Sequence, residues 1–368
     1  MSQRMFTSFL VVLSTIFFQT AVHAGQFQLP VILPVGLQPS EVVIGDFNGL
    51  GSLDFAVTNS DSGTVSVYLG NGREFFLKDT ITTGHRPVGI ASGLMSPINK
   101  PDLVVVNAGD AQVALLKGDG RGDFNLRGRG RTGVNPHSIG LADFNLDGVI
   151  DVAVTNINDS TVTILLGNAD GSFQPGSTLG VGLHPVGLLA LDLNCDGVPD
   201  IVTANSGTSQ ISILFGKGDG TFKRVRTLAA GSAPISLAFG DFNGDGNIWD
   251  LAVADSKANT FSVLLNNCDE TFTSAKIYPT SFTPRSIVAA DFNQDGKWDV
   301  ALADPVNNRA VLFPGNGDGS FGTPSSSDAG QGPEFLTAGD LNGDGFPDLI
   351  AVDTAANSLA ILINKGQP

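Results

Sequence analysis

The sequence is poor in basic residues, in sulfur and in the largest aromatic side chains: it has 20 Lys and Arg against 36 Asp and Glu, two Cys, two Trp and two Tyr in 368 residues. A net charge of −16 repels a phosphate backbone, so nucleic acid is not an expected partner. Two cysteines, Cys195 and Cys268, exclude a disulfide-dense scaffold. A single bridge between them stays open in an oxidising compartment, but the sequence favours free thiols.

Long apolar runs are absent except at the N-terminus, where residues 5–18 follow Arg4 and precede Val22-His23-Ala24. A basic start, a short apolar run and small residues before a cleavage point are typical of a secretory signal peptide. The run has 14 residues (18 − 5 + 1), short of the roughly 20 that span a bilayer. We therefore predict a signal peptide over 1–24 and a secreted, extracellular chain without a membrane span, or a periplasmic one in a bacterium.

Helical spacing is also lacking, and a repeat takes its place. Acidic loops begin at Asp46, Asp143, Asp192, Asp241, Asp291 and Asp340, most of them 48 to 50 residues apart, and a degenerate copy lies near Leu94. The third unit reads "HSIGLADF", the acidic loop, "DVAVTNIN", "STVTILLGNADGSF" and "QPGSTLGVGLHP". These are four short β-prone segments separated by glycine-rich turns. Seven such units predict an all-β, seven-bladed β-propeller of four-stranded blades.

The two ends of the chain complement each other. The seventh unit stops after its third segment, "SLAILINKGQP", and the N-terminal "GQFQLPVILPVGLQP" matches the fourth segment of other units. The N-terminal strand is therefore predicted to complete the last blade and close the ring, which removes an exposed sheet edge. We expect residues 25–368 to form this single domain, with no leg, anchor or second domain.

The acidic loops have the chemistry of cation sites. Asp143-x-Asn145-x-Asp147-Gly148-x-x-Asp151 presents alternating oxygen ligands on a tight turn, which suits Ca²⁺ better than the stricter Mg²⁺. Asp, Asn and Gly are also ordinary turn formers, but repeated copies at fixed spacing, with carboxylates that repel one another, favour calcium. The predicted ligands are Asp143, Asn145, Asp147, Asp151, Asp192, Asn194, Asp196, Asp200, Asp241, Asn243, Asp245, Asp250, Asp291, Asn293, Asp295, Asp299, Asp340, Asn342, Asp344 and Asp348.

The loops are not equivalent. Four are complete, the fifth carries one extra residue before Asp250, and the first two lack acids, with Leu50 in one and only Asp102 kept in the other. We expect about four or five calcium ions and weak or absent binding in the first two blades. Without Arg4 the charge is 19 − 36 = −17, and five divalent ions bring it to about −7. Calcium that binds only the folded chain would stabilise it.

The repeats "GDFNGDGNIWDLAVADS" and "GDLNGDGFPDLIAVDT", followed by "LFGKGDGTF" or "FPGNGDGSF", resemble FG-GAP and VCBS-type repeats, as found in the integrin α-subunit propeller. The resemblance covers residues 25–368. It implies a calcium-stabilised propeller that acts as an adhesion or binding module, for which a carbohydrate or an extracellular protein is the expected ligand. It does not identify that ligand.

A polar ring is the candidate ligand site. Thirteen residues after each loop start, or fourteen in the fifth unit, stand Asn59, Asn107, Asn156, Asn205, Asp255, Asp304 and Asp353. The connections between units add His85, Arg86, His137, His184, Arg285 and Glu334. These groups would line the face opposite the acidic loops and hydrogen-bond a ligand, although Asn and Asp also end strands and cap turns.

Catalytic signatures are weak. His85, His137 and His184 belong to neighbouring blades without a partnered nucleophile or acid, so we expect no enzyme activity. The alternatives are an enzyme acting on extracellular polysaccharides and a purely structural calcium-binding protein. "RGD" at 121–123 is explained as a copy of the repeated "GNADGSF"-type turn rather than an adhesion motif. Trp249 and Trp298 both lie inside acidic loops, which argues against a lectin that stacks sugars on tryptophan.

Overall fold

β-Branched and apolar segments bounded by glycine-rich turns fold into strands throughout the computed structural model, which describes residues 26–95, 100–246 and 249–366. The predicted signal peptide lies outside the described residues. So does the insertion of the fifth acidic loop, at 247–248. In the part of the chain that is described, no helix is long and apolar enough to cross a membrane.

The strands are numbered in chain order and grouped into seven blades. The N-terminal strand is β1 Val31–Pro34. Blades 1 to 3 contain β2 Pro39–Gly45, β3 Asp54–Asn59, β4 Thr64–Gly70, β5 Phe75–Thr82; β6 Pro87–Gly93, β7 Asp102–Asn107, β8 Gln112–Gly118, β9 Phe124–Arg131; β10 Pro136–Ala142, β11 Asp151–Asn156, β12 Thr161–Gly167 and β13 Phe173–Gly180. Blades 4 to 7 contain β14 Pro185–Leu191, β15 Asp200–Asn205, β16 Gln210–Leu214, β17 Arg226–Ala229; β18 Pro234–Gly240, β19 Asp250–Asp255, β20 Thr260–Leu264, β21 Lys276–Pro279; β22 Ile287–Ala290, β23 Asp299–Asp304, β24 Arg309–Phe313, β25 Ser325–Asp328; β26 Pro333–Gly339, β27 Asp348–Asp353 and β28 Ser358–Leu362. A single 3-10 turn, Thr354–Ala356, separates β27 from β28.

Each blade is an antiparallel sheet whose strands follow chain order, except the seventh, whose order is β1-β28-β27-β26. There the N-terminal strand pairs with the C-terminal one, from Val31 opposite Ile361 to Pro34 opposite Ser358. The predicted all-β propeller with seven four-stranded blades, and its closure by the N-terminal strand, are confirmed.

The core lies between blades. The second strand of every blade is buried at all six positions, whereas the fourth, outermost strand is largely exposed. Apolar side chains of adjacent blades interlock, as where Val65 and Val67 of blade 1 meet Leu103 and Val105 of blade 2. Each blade buries its faces only against its neighbours, so a closed ring is required to cover them all.

A repeated aromatic contact holds neighbouring blades together. In several blades a phenylalanine after strand 3 packs on a phenylalanine in the acidic loop of the preceding blade. The pairs are Phe124 on Phe47 at 5.4 Å between ring centroids, Phe222 on Phe144 at 5.5 Å and Phe321 on Phe242 at 5.8 Å. For blade 7 this phenylalanine comes from the other end of the chain, because Phe27 packs edge-on against Phe292 at 5.8 Å.

The two cysteines are joined in a disulfide, which corrects the expectation of free thiols. Cys195 lies in the acidic loop of blade 4 and Cys268 in the strand 3–4 turn of blade 5, with their Cα atoms 5.5 Å apart. The turn of one blade rests on the acidic loop of the blade before it, as the hydrogen bond from the Gly319 N–H to the Phe242 carbonyl shows. Residues 73 positions apart therefore become neighbours only once blades pack.

Phe27→Ala should weaken ring closure. The side chain is 3% exposed, and losing a buried phenylalanine costs about 3–5 kcal/mol of unfolding free energy. Denaturant unfolding of the variant against Leu29→Ala, whose side chain is 68% exposed, measures the effect. Equal stability of the two variants would contradict a closing role for Phe27.

Candidate metal centres and binding surfaces

The antiparallel order gives the ring two distinct faces. The acidic loops join strands 1 and 2 and share one face with the strand 3–4 turns; we call it the loop face. The strand 2–3 turns and the inter-blade connections lie on the other, the connection face. The candidate metal sites and the candidate ligand ring therefore lie on opposite faces.

The last aspartate of each acidic loop, here called the closing aspartate, is buried in every blade. In blade 3, one carboxylate oxygen of Asp151 accepts the Phe144 N–H at 2.9 Å and the other accepts the Gly167 N–H at 2.8 Å. The bond to the N–H sixteen residues later recurs in all seven blades. The pairs are Asp54–Gly70, Asp102–Gly118, Asp151–Gly167, Asp200–Gly216, Asp250–Asn266, Asp299–Gly315 and Asp348–Asn364.

The closing aspartates thus have a structural role that the sequence-based assignment as calcium ligands missed. Each ties its acidic loop to the end of strand 3, and Asp54 and Asp102 do so in blades 1 and 2, whose loops lack one or more of the other acids. The retention of Asp102 in an otherwise degenerate loop was the clue. A side chain larger than hydrogen would collide at Gly118, since its Cβ would lie 2.1 Å from the Pro101 carbonyl oxygen.

Burial raises the pKa of five closing aspartates, Asp151, Asp200, Asp250, Asp299 and Asp348, to about 6. For Asp151, the two backbone N–H bonds lower the pKa. The nearby carboxylates of Asp143 and Asp147, at the first and fifth loop positions, raise it further. Three acids per loop are therefore close enough to repel one another. A cation placed among them would relieve that repulsion.

The other loop acids are held by the loop's own backbone. Asp143 accepts the N–H groups of Asp147 at 3.1 Å and Gly148 at 2.7 Å, while the Asn145 amide donates to Asp147 at 2.9 Å. The loops of blades 4, 5, 6 and 7 repeat the bonds to the first aspartate. The loop acids are therefore hydrogen-bonded within their own turns.

Each loop offers three carboxylates and an amide oxygen, a hard all-oxygen set that fits Ca²⁺ in donor chemistry. The side chains do not yet converge: among the described residues, no group of three or more His, Cys, Asp or Glu is arranged to hold a metal ion. The calcium assignment therefore stays a prediction.

The substitution Asp102→Ala tests the structural role of a closing aspartate apart from metal binding, because the loop that contains Asp102 lacks the other predicted ligands. Loss of the carboxylate leaves the buried Gly118 N–H without its acceptor, at a cost of about 1–3 kcal/mol. We expect the same loss in calcium and in chelator, measured by denaturant unfolding, with the exposed Asp61→Ala as control. A loss seen only in calcium would contradict this assignment.

The seven residues of the predicted ligand ring end strand 2 of their blades, but they are buried rather than exposed. The Asn59 amide donates to Thr64 at 3.2 Å and Ser66 at 3.0 Å, and Asn156 bonds Thr161 and Thr163 in the same way. This corrects the expectation that the face opposite the acidic loops is lined by Asn59, Asn107, Asn156, Asn205, Asp255, Asp304 and Asp353. The inter-blade connections cover them: a Cβ on Gly36, Gly133 or Gly182 would lie 2.6, 2.7 or 2.5 Å from an atom of Asn59, Asn156 or Asn205, respectively.

The acids of this set differ in how they are compensated. Asp304 is paired with Arg309 at 3.0 Å, whereas Asp255 accepts only hydroxyl bonds from side chains, from Ser262 at 2.6 Å and Thr260 at 3.1 Å. Burial raises the pKa of Asp255 to about 6, and that of Asp353 likewise. Blades 1 to 4 carry asparagine at this position, which hydrogen-bonds without a charge.

Asp255→Asn should stabilise the protein at neutral and alkaline pH. Because the folded-state pKa, about 6, exceeds the ordinary 3.8, the penalty of ionisation grows as pH rises through this window and is absent below it. This difference in pKa corresponds to a gain of at most about 3 kcal/mol in unfolding free energy for Asp255→Asn above pH 6. Unfolding at a series of pH values tests it, with Asp304→Asn as the control that loses an ion pair and should not gain stability.

The polar residues of the inter-blade connections do reach the connection face. His85 bonds Asp110 at 2.7 Å, His137 bonds the Val186 carbonyl at 3.0 Å, and Arg285 pairs with Glu334 at 3.4 Å. The three histidines have different partners and form no cluster in the described structure. Between them stand apolar side chains at equivalent positions of the connections: Leu37, Val134 and Leu183 are 57%, 53% and 56% exposed.

An aromatic cluster on the loop face was not foreseen. Phe239 lies 5.3 Å from Trp249 and Trp249 lies 6.0 Å from Trp298, in both cases edge to face. Phe239 is 37% exposed and the tryptophans are half-buried. The clue was their equivalent position, one residue before the closing aspartate in adjacent blades, which brings both tryptophans together.

The RGD segment lies in the strand 3–4 turn of blade 2. Asp119 accepts the N–H groups of Arg121 and Asp123, and Asp123 pairs with Lys78 of blade 1 at 3.1 Å. Asn71, at the corresponding position of blade 1, likewise accepts two N–H groups, those of Arg73 and Glu74. The turn from Gly118 to Phe124 has the same length as the turn from Gly216 to Phe222, so the RGD segment is a copy of the repeated turn and is not lengthened.

The chain belongs to the FG-GAP-like repeat family. The family model matches residues 99–154, 143–203, 192–248, 247–302 and 291–351, which together span 351 − 99 + 1 = 253 of the 368 residues. This confirms the resemblance drawn from the repeat motifs. No curated protein matches the chain in sequence.

Solved structures of similar fold include BBS1N in complex with ARL6DN, in one crystal soaked with mercury and one soaked with lead. Each matches with a TM-score of 0.67 at 12% identity, over 92% of this chain and 97% of that chain. At this identity the likeness concerns the fold alone.

Proposed function

We propose that this chain is a secreted, calcium-stabilised, non-catalytic propeller that binds an extracellular protein through its connection face. Secretion is supported by the signal-peptide pattern of residues 1–24. Calcium is supported by the oxygen-rich loops and the mutual repulsion of their acids. The loops then act as structural clamps, and ligand recognition occurs on the opposite face.

The observation that carries protein binding is the equivalent exposure of Leu37, Val134 and Leu183 on blades 1, 3 and 4. Exposed apolar side chains ringed by polar groups are typical of protein-binding surfaces. His85, His137 and His184 stand next to them and could set the polar rim. The similar propeller BBS1N was solved in complex with a protein, ARL6DN, which is in keeping with such a use of the fold.

Carbohydrate is the second candidate ligand, favoured by the cluster of Phe239, Trp249 and Trp298. Aromatic faces bury the apolar side of a sugar ring, and the neighbouring acids could accept its hydroxyl hydrogen bonds. The ligand would then sit on the loop face and not on the connection face.

Calcium dependence is tested first by metal stoichiometry and by thermal unfolding with calcium and with chelator. We expect about four or five ions and a melting temperature that falls on chelation. The matched variants are Asp295→Asn in a complete loop, which should lower stoichiometry by one, and Asp61→Asn outside the loops, which should not. A metal-free protein with an unchanged melting temperature would reject the calcium assignment.

For protein binding, the immobilised chain is incubated with the extracellular proteins of its source, and retained proteins are identified by mass spectrometry. The variant with Leu37, Val134 and Leu183 changed to serine should lose the retained partner. A control with Leu29, Leu50 and Leu94 changed to serine, also exposed, should keep it. A partner held equally by both variants would place its site elsewhere.

The carbohydrate alternative has a direct optical test. Trp249 and Trp298 are the only tryptophans, and both lie in the aromatic cluster. A sugar bound there should shift tryptophan emission in a saturable way, measured against a glycan panel in constant calcium. Sugars that bind by calorimetry without altering the emission would rule out this cluster as their site.

A further inference from the structure

The outer strand of blade 2 carries an unusual row of charge. β9 contains Arg127, Arg129 and Arg131, all exposed, and none of the three forms an ion pair within the described structure. In an acidic protein, free guanidinium groups would be expected to find carboxylates. Here they are left to the solvent.

Neighbouring blades lack this feature at equivalent sheet positions. The residues corresponding to Arg129 are all uncharged: Thr80, Thr178, Thr227, Ile277, Ser326 and Ile32. Those corresponding to Arg131 are uncharged except one: Thr82, Gly180, Ala229, Pro279, Asp328 and Pro34. The basic row is therefore particular to blade 2 and is not required by the fold.

The strand register shows which way the arginines face. Arg129 pairs with Ala114, which pairs with Val105, and Val105 belongs to the core between blades 1 and 2. The alternate residues Gly128 and Gly130 face blade 3, where a Cβ on Gly130 would lie 2.5 Å from Leu165. Arg129 and Arg131 thus border the outer opening between blades 1 and 2, about 7 Å apart along the strand.

The same opening has an apolar end. Leu126 pairs with Leu116 on the blade 2 wall, and Phe76 pairs with Leu69 on the blade 1 wall; they are 40% and 54% exposed. The ion pair of Lys78 with Asp123 joins the two blades nearby. Asp79 is also on the blade 1 wall, where it accepts the Thr80 N–H, so one carboxylate faces two guanidinium groups.

We propose that this edge, formed by β9 with Phe76 and Leu126, binds an extended acidic segment of a partner protein as an added strand. β9 is the last strand of its sheet, so its outer backbone groups have no strand partner. A peptide satisfies those groups by strand pairing, its alternating acids meet Arg129 and Arg131, and its apolar residues cover Phe76 and Leu126. An acidic polysaccharide could meet the arginines but could not pair with the backbone.

The arginines also determine which strands are admitted. Arginines on an outer strand disfavour pairing with a neutral or basic strand, because their charges would be desolvated or repelled there. A strand that carries acidic side chains compensates these charges and so avoids that energetic cost. The edge is on the periphery of the ring, so this site is independent of the connection face and of the aromatic cluster.

The test is fluorescence anisotropy of a labelled short peptide of alternating glutamate and valine, titrated with the full mature chain. Wild type should bind, more weakly as ionic strength rises. The Arg129→Thr/Arg131→Thr variant, which installs the residues of blade 1, should bind about ten-fold more weakly or worse. The control Lys217→Thr/Arg224→Thr removes the same charge from an exposed region of blade 4 and should bind within about two-fold of wild type.

A peptide N-methylated at every residue keeps its charges but has no backbone N–H to donate from either edge, so its binding should be lost. Equal binding of both peptides, equal loss in both double variants, or no binding by wild type would overturn the proposal. Binding of an acidic polysaccharide but not of the peptide would overturn it as well, by showing charge recognition without strand addition. Thermal unfolding of each variant confirms that it is folded.

Discussion

The propeller depends on one buried interaction, the carboxylate of the closing aspartate. It accepts a backbone N–H from the end of strand 3 in each of the seven blades, at 2.7 to 2.8 Å, and in most of them a second from the acidic loop. These N–H groups lie where no strand partner reaches them, and an unpaired buried N–H is costly. The aspartate therefore fixes the point at which loop, second strand and third strand meet.

That position brings an electrostatic conflict. A carboxylate is best able to accept two backbone bonds when ionised, yet burial and two nearby acids favour its neutral form in blades 3 to 7. A divalent cation among the three acids would resolve the conflict, whereas Asp54, whose pKa is also raised chiefly by burial, has only Asp46 as an acidic neighbour in its loop. The structural bond and the proposed calcium site thus share one residue, and the first does not require the second.

The fold was predictable because its causes are local and repeated: a period of about 49 residues, alternating apolar strands and a missing fourth segment replaced from the N-terminus. Features that depend on contacts between blades were not. The Cys195–Cys268 bond needs a turn of one blade placed on a loop of another, and the joining of Trp249 to Trp298 needs two blades side by side. Burial of Asn59 and its counterparts was missed for a related reason, since spacing places a residue at a strand end without showing what covers it.

The paired ends of the chain also set an order in time. Val31 and Ile361 are 361 − 31 = 330 residues apart, so the seventh sheet cannot be completed until nearly all the chain has been made. Until then Phe27 has no Phe292 to cover, and the apolar faces of the first and last blades stay open. Ring closure thus requires both ends of the chain, and loss of the four-residue pairing of β1 would leave β28 as an exposed sheet edge.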